Sequence, residues 1–209
     1  NEKLIINNSG NNNNKIEISS YGIGQKPMIF GGFLTNWNDW VVDTSSYHNK
    51  TYYKYKNLTK KIPYGLWVKD GFEFKDPFVF VGTDPELCKN ENDYAYSEGY
   101  IWLLSGKIYD EPQRIFFSYL DNGILLKNVS NIVVNNIQII GTGYSGNRFD
   151  GGISVEGKKS EYSNNIEITN CDSSFNSFIG INAGYVKNLY VSNCTASFNS
   201  RGGGVYVHS

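Results

Sequence analysis

"NCDSSFNSFIGINAGYVKNLYVSNCTASFNS", residues 170–200, nearly states one phrase twice. "NCDSSFNS" from Asn170 to Ser177 returns as "NCTASFNS" from Asn193 to Ser200, so Cys171/Cys194, Phe175/Phe198 and Asn176/Asn199 are each 23 residues apart. The same spacing for an apolar, an aromatic and an amide residue is the mark of a chain that returns on itself with a fixed pitch. Between the copies lie "GINAGYV" and "KNLYVSNC", in which apolar residues sit two apart, the period of a strand with one buried face.

The pattern extends outward from Asn122 to the end of the chain. "GILLKN", "SNIVVNNIQIIG", "GGISVEG", "SNNIEITNC" and "GGVYVHS" carry the pairs Ile124/Leu126, Ile137/Ile139, Ile153/Val155, Ile166/Ile168 and Val205/Val207. Gly precedes Ile or Val at 123/124, 152/153, 180/181 and 204/205, so the unit recurs after 29, 28 and 24 residues. Short strands repeating at this length, without a helical period, point to a solenoid. In a parallel β-helix equivalent side chains stack about 4.8 Å apart. Phe175 over Phe198 and Cys171 over Cys194 are then expected to fill the interior, with Asn176 over Asn199 forming an amide ladder at a turn. An antiparallel sandwich whose strands happen to look alike is the competing reading.

The bulk composition narrows the class. The chain has 209 residues, enough for one large all-β domain or one domain with an insertion. Nineteen Lys and Arg against 20 Asp and Glu leave a formal charge of −1, without the basic field that holds a nucleic acid. No apolar run approaches the roughly 20 residues of a membrane span, and "NEKLIINNSG" lacks the pattern of a signal peptide. Twenty-two Gly, 16 Tyr and abundant Asn indicate a turn-rich β-protein. Three Cys (Cys88, Cys171, Cys194) are too few and too scattered for a disulfide framework and show no zinc spacing, and Cys171 and Cys194 read as small core fillers.

Residues 1–32 read as one further coil: strand "EKLII", polar turn, strand "KIEISSY", glycine-rich turn, strand "KPMIFGG". Residues 33–120 differ in composition. They hold all four Trp (Trp37, Trp40, Trp67, Trp102) and strands such as "TYYKYKNL", "YGLWVKDGFEF", "YIWLLSG" and "RIFFSYL". This segment is expected to be a β-rich insertion packed on the solenoid, with coils resuming over 121–209. The last coil stops at "GGGVYVHS", so the chain reads as part of a longer solenoid.

"NNKIEISSYGIGQKPMIFGG", the Trp/Tyr-rich insertion with "YGLWVKDG", and "NGILLKNVSNIVVNNIQIIG" running into Gly-Ile coils resemble the secreted right-handed parallel β-helix proteins of the pectate-lyase-like superfamily. The resemblance covers essentially the whole chain. It implies an extracellular or cell-surface protein, monomeric unless a filament subunit, that acts on or binds polysaccharide. The scaffold carries lyases, hydrolases, epimerases and adhesins. Polysaccharide lyase is the leading expectation; a non-catalytic adhesin or filament protein and a glycoside hydrolase are the alternatives. For a lyase the resemblance implies Ca²⁺ held by carboxylates and a Lys or Arg base on the outer face of one parallel sheet.

The best local cluster is "GYSGNRFDGG". There Arg148 is placed to meet a sugar carboxylate, Asp150 a metal, and Tyr144 and Asn147 a substrate; a plain Asp-Gly-Gly turn is the bland alternative. Lys159, in a loop with Glu156 and Lys158, is a spare candidate base. Arg201 replaces, at the same repeat position, the apolar Phe178 of the preceding coil. His208 faces outward if Val205 and Val207 face in, and is a candidate acid or base. Trp37 and Trp40, with Tyr52, Tyr53 and Tyr55, either stack on sugar rings or form the insertion's own core. His48 reads as exposed and inert.

Overall fold

The computed structural model describes residues 3–43, 51–56, 66–70, 73–91, 93–104, 114–200 and 202–209; at positions 37, 66–70, 73–78 and 114 it describes the backbone alone. The described residues are all-β, with twenty strands, two short 3-10 turns and no α-helix. They divide into two compact units, one comprising Asn1–Gly32 and Ser118–Ser209, the other Phe33–Phe117.

In the first unit the chain opens with β1 (Leu4–Ile6), β2 (Ile16–Ser19) and β3 (Met28–Phe30). The second unit then supplies β4 (Gly32–Asn36), β5 (Val41–Asp43), β6 (Tyr52–Lys56), β7 (Leu66–Asp70), β8 (Glu73–Gly82), β9 (Asp93–Ser97), β10 (Tyr100–Leu104) and β11 (Arg114–Ser118). The first unit resumes with β12 (Asn122–Lys127), β13 (Ser130–Asn135) and β14 (Gln138–Ile140), then β15 (Gly151–Glu156), β16 (Ser163–Thr169) and β17 (Asp172–Ser174), then β18 (Ile179–Gly184) and β19 (Val186–Ser192), and finally β20 (Gly203–His208).

These strands build three sheets with orders β1-β12-β15-β18-β20, β2-β13-β16-β19 and β3-β14-β17. Every strand pairing within them is parallel. The antiparallel sandwich therefore fails for this unit. The passes β1–β3, β12–β14 and β15–β17 visit the three sheets in the same order, a fourth contributes β18 and β19, and the pass over residues 4–30 lies directly beside the one that starts at Asn122 although the whole second unit intervenes in the sequence.

The register follows the repeats. Ile124, Ile153, Ile181 and Val205 stand side by side, as do Ile16, Ile132, Ile166 and Leu189. Ile124, Ile132, Ile139, Ile153, Ile166 and Ile181 are fully buried in one core, each worth about 1.5–3 kcal/mol of transfer free energy. The recurring Gly before these residues has a steric cause. A Cβ on Gly152 would lie 1.9 Å from Ser173 Oγ and 2.9 Å from Gly180 O, and one on Gly123 would lie 2.4 Å from Ile139 Cγ2. The third sheet packs where a side chain would stand.

The corners explain the Asn content. Asn131, Asn165 and Asn188 form one column of left-handed residues, with φ of 59°, 54° and 52°, and Asn136, Asn170 and Asn193 form another. Asn tolerates this region because its short polar side chain bonds locally; here the amides also bond along the columns, Asn165 Nδ2 to Asn131 Oδ1 and Asn193 Nδ2 to Asn170 Oδ1.

The opening repeat forms the expected ladders, with one correction. Asn176 donates from Nδ2 to Asn199 Oδ1 at 3.1 Å, and the Cys171 amide meets Cys194 Sγ at 3.4 Å. Phe175 and Phe198 stack with centroids 4.8 Å apart and planes 13° apart. They do not fill the interior: both sit in left-handed corners (φ 54° and 55°), and Phe198 is 66% exposed. A left-handed corner turns its side chain away from the alternation that the flanking strands obey, so the ladder runs along the outside.

The second unit is an eight-stranded sheet ordered β4-β11-β7-β8-β9-β10-β6-β5, with a parallel β8–β9 pair among antiparallel neighbours. Strand alternation gives it two aromatic cores. Tyr53, Tyr55, Ile101 and Leu103 join Trp40, Tyr94, Ile115 and Phe117, whereas Tyr52, Trp102 and Leu104 join Cys88 and Ala95.

Candidate functional site

On β12, β15, β18 and β20 the residues between the core positions face away from the core. They form two columns across the five-stranded sheet: Ile5, Leu125, Ser154, Asn182, Tyr206, and then Lys127, Glu156, Gly184, His208. Ser154 and Asn182 are nonetheless fully buried. The segment 147–150 covers them.

Two asparagines pin that segment. Asn122 Nδ2 donates to Phe149 O at 3.0 Å and to Ser154 Oγ at 2.9 Å, while Asn182 Nδ2 donates to Arg148 O at 2.7 Å and Asp150 O at 2.9 Å. Inside the segment the Asp150 carboxylate accepts from the Ser145 amide at 2.6 Å, from Ser145 Oγ and from the Asn147 amide at 3.1 Å. Asn147 Oδ1 in turn accepts from the Phe149 amide at 3.1 Å. Burial pushes the Asp150 carboxyl above its ordinary pKa, against the lowering effect of these hydrogen bonds. Asp150 and Asn147 thus shape the turn, and the hydrogen bonds that the Asp150 carboxylate accepts come from within it.

The pinned segment holds Arg148 and Phe149 at the β18–β20 side of the sheet. The Phe149 and His208 rings lie 5.2 Å apart, and Tyr206 is 5.4 Å from His208. Gly184 makes room for them: a Cβ there would fall 2.4 Å from both Phe149 Cε1 and His208 Cε1. The Arg148 guanidinium lies over Phe149 at 4.8 Å and over Tyr185 at 5.0 Å. Tyr185 meets Tyr162 edge-on at 6.0 Å, and Lys187 Nζ lies 4.8 Å over the Tyr162 ring. Burial and then the Arg148 charge hold His208 below its ordinary pKa, so its imidazole is neutral at pH 7. His208 Nε2 is buried with no hydrogen-bond partner.

At the β1–β12 side of the same face lies a shallow groove of about 560 Å³, lined by Lys3, Ile5, Asn7, Leu125, Lys127 and Asn128. Its lysines are loosely held: Lys3 Nζ is 3.8 Å from Asp121 and Lys127 Nζ 3.6 Å from Glu156. Exposed pairs of this kind contribute about 0–1 kcal/mol, so either ammonium group can exchange its carboxylate for an anion at little cost.

Of the residues singled out in the sequence, Arg148 and His208, sixty positions apart, come together. Tyr144 meets Phe178 with ring centroids 4.6 Å apart and planes tilted by 37°. Lys159 is exposed in the turn closed by the Lys158–Glu161 backbone pair, outside the ring cluster. Trp40 is buried in the second unit's core and donates from Nε1 to Thr35 Oγ1 at 3.0 Å; Tyr52, Tyr53 and Tyr55 are buried as well. The second of the two readings given for these aromatics is the one they follow. Arg201, His48 and the side chain of Trp37 lie outside the described residues.

Sequence reasoning passed over Phe149, Gly184, Tyr185 and Tyr206. The available signal was Gly184, a glycine at a strand position where the earlier passes carry Lys127 and Glu156. Chemically, the cluster offers a guanidinium able to grip a carboxylate in two places, a neutral imidazole, and a phenol. Among the described residues no group of three or more His, Cys, Asp or Glu is placed to hold a metal ion. No family model, no curated protein and no solved structure matches the chain.

Proposed function

We propose that the chain belongs to a right-handed parallel β-helix of the pectate-lyase-like kind that works outside the cell on an acidic polysaccharide and cleaves it by β-elimination. The observation that carries this reading is the meeting of Arg148 and His208 among Phe149, Tyr185 and Tyr206 on the outer face of the five-stranded sheet. The aromatic faces complement the C–H face of a sugar ring. Arg148 neutralises the uronate carboxylate, which acidifies the C5 proton; neutral His208 accepts that proton through Nδ1, and the Tyr206 phenol protonates the departing oxygen. Lys3 and Lys127 add cationic contacts on the same face.

Pectate, alginate and glycosaminoglycans, each with Ca²⁺ and with a chelator, test the reading through the ultraviolet absorbance of unsaturated uronate ends. A rising trace that Arg148→Ala and His208→Ala both abolish supports it, and the chelator arm decides whether calcium takes part. A flat trace with every polymer, from folded protein, overturns the lyase. A second reading, a non-catalytic glycan-binding adhesin, is favoured by the commitment of the Asp150 carboxylate to its own turn. Binding of these polymers without absorbance change is its expected result.

A further inference from the structure

Cys171 and Cys194 occupy one place in successive passes of the chain, and the backbone around them is bonded as neighbouring strands are. Asp172 and Thr195 form a parallel bridge, Thr195 N donates to Cys171 O at 2.9 Å, and Asn170 N donates to Ser192 O at 3.1 Å. Strand neighbours stand about 4.8 Å apart, inside the Cα separation of about 4.4–6.8 Å that a disulfide spans.

The two thiols also share a setting. Cys171 Sγ lies 3.2 Å from Thr169 O and 3.6 Å from Val134 O, and Cys194 Sγ lies 3.2 Å from Ser192 O and 3.5 Å from Ile168 O. The Cys171 amide donates to Cys194 Sγ at 3.4 Å, which sets the Cys194 sulfur directly against the Cys171 backbone. The remaining thiol, Cys88, is buried in the core of the second unit beside Tyr52 and Trp102.

We propose that Cys171 and Cys194 are a disulfide-forming pair that staples two successive passes of the parallel unit. Oxidation removes one hydrogen from each thiol and joins the sulfurs; the two electrons and two protons pass to a small-molecule disulfide, which leaves as two thiols. Burial pushes the Cys171 thiol up to about 11, so in the folded chain it is a poor nucleophile. The bond therefore closes during folding, before the core excludes the oxidant, or through attack by the half-buried Cys194.

The test is to refold the denatured, reduced chain in a mixture of oxidised and reduced glutathione and then count free thiols in denaturant. One thiol per chain, a peptide linking Cys171 to Cys194, and a melting temperature above that of protein refolded with excess reductant are expected. The same refolding of Cys194→Ser is expected to leave its thiols free of intramolecular linkage. Three free thiols in oxidatively refolded protein with native circular dichroism overturn the proposal, and so does a linkage through Cys88. These readouts need no ligand and stand apart from the outcome of the polysaccharide assay.

Discussion

Replacing Asn176 by Ala tests the amide ladder at its centre. Asn176 is fully buried, and its Oδ1 accepts from the Thr142 amide at 3.0 Å and from Thr142 Oγ1 at 2.9 Å, while its Nδ2 donates to Asn199 Oδ1 at 3.1 Å. Truncation orphans the Thr142 N–H inside the protein, at about 1–3 kcal/mol for one buried unsatisfied donor. Asn199 Oδ1 keeps the Asn176 backbone N–H at 3.0 Å, and the Thr142 hydroxyl can turn, so neither adds a full penalty. With the cavity left by the amide, a loss of roughly 2–4 kcal/mol is expected. Urea unfolding followed by far-ultraviolet circular dichroism measures it as a lower midpoint at unchanged slope. Tryptophan fluorescence is the wrong probe, because Trp37, Trp40, Trp67 and Trp102 all belong to the other unit. Asn176→Asp sharpens the test: a carboxylate still accepts from Thr142 but confronts the Asn199 oxygen with another acceptor, and is expected to destabilise as well. A shift below about 0.5 kcal/mol for Asn176→Ala, within the range of bland surface substitutions, would refute the ladder as a source of stability.

Gly184→Ala forces a methyl against the Phe149 and His208 rings; a stability loss of about 1–3 kcal/mol from overpacking should accompany lost polysaccharide binding, both read on purified protein by melting and titration calorimetry. Arg148→Ala removes a charged partner for a carboxylate, worth about 1.5–3 kcal/mol, so affinity for a uronate oligosaccharide should fall more than tenfold while a neutral oligosaccharide binds unchanged. His208 has its folded pKa below the ordinary value of 6.5, so the unfolded chain binds more protons in the window just below 6.5. Stability therefore falls as pH drops from 6.5 through the folded pKa and is unaffected by this group above 6.5. His208→Gln should flatten that part of a melting-temperature profile between pH 7 and 5, and an unchanged slope would remove His208 as its source.

The strand positions were legible because the inward residues of this unit obey a period of two and the same inward positions recur from pass to pass. Gly123, Gly152, Gly180 and Gly204 were legible as a column, and at the first three the third sheet presses so close that a side chain is refused. Phe175 and Phe198 were misplaced because their corner conformation is a backbone property: the letters gave the stack, while the positive φ gave its direction. Trp40 and its tyrosine neighbours were ambiguous because an aromatic residue suits a sheet core and a sugar platform equally well, and burial alone separates the two.

By itself, the sequence determined that this is an all-β chain of recurring short strands, that Cys171 meets Cys194 and Asn176 meets Asn199, and that the Trp-rich segment is of another kind. These are local consequences of periodicity and need only a constant step between passes. Tertiary structure alone decided that Arg148 and His208 share one surface. Their meeting depends on the segment 147–150 being drawn across the sheet by Asn122 and Asn182, and on Gly184 leaving a gap for two rings. No spacing along the chain encodes that contact, because it is set by hydrogen bonds between different passes and by the absence of a side chain on a third.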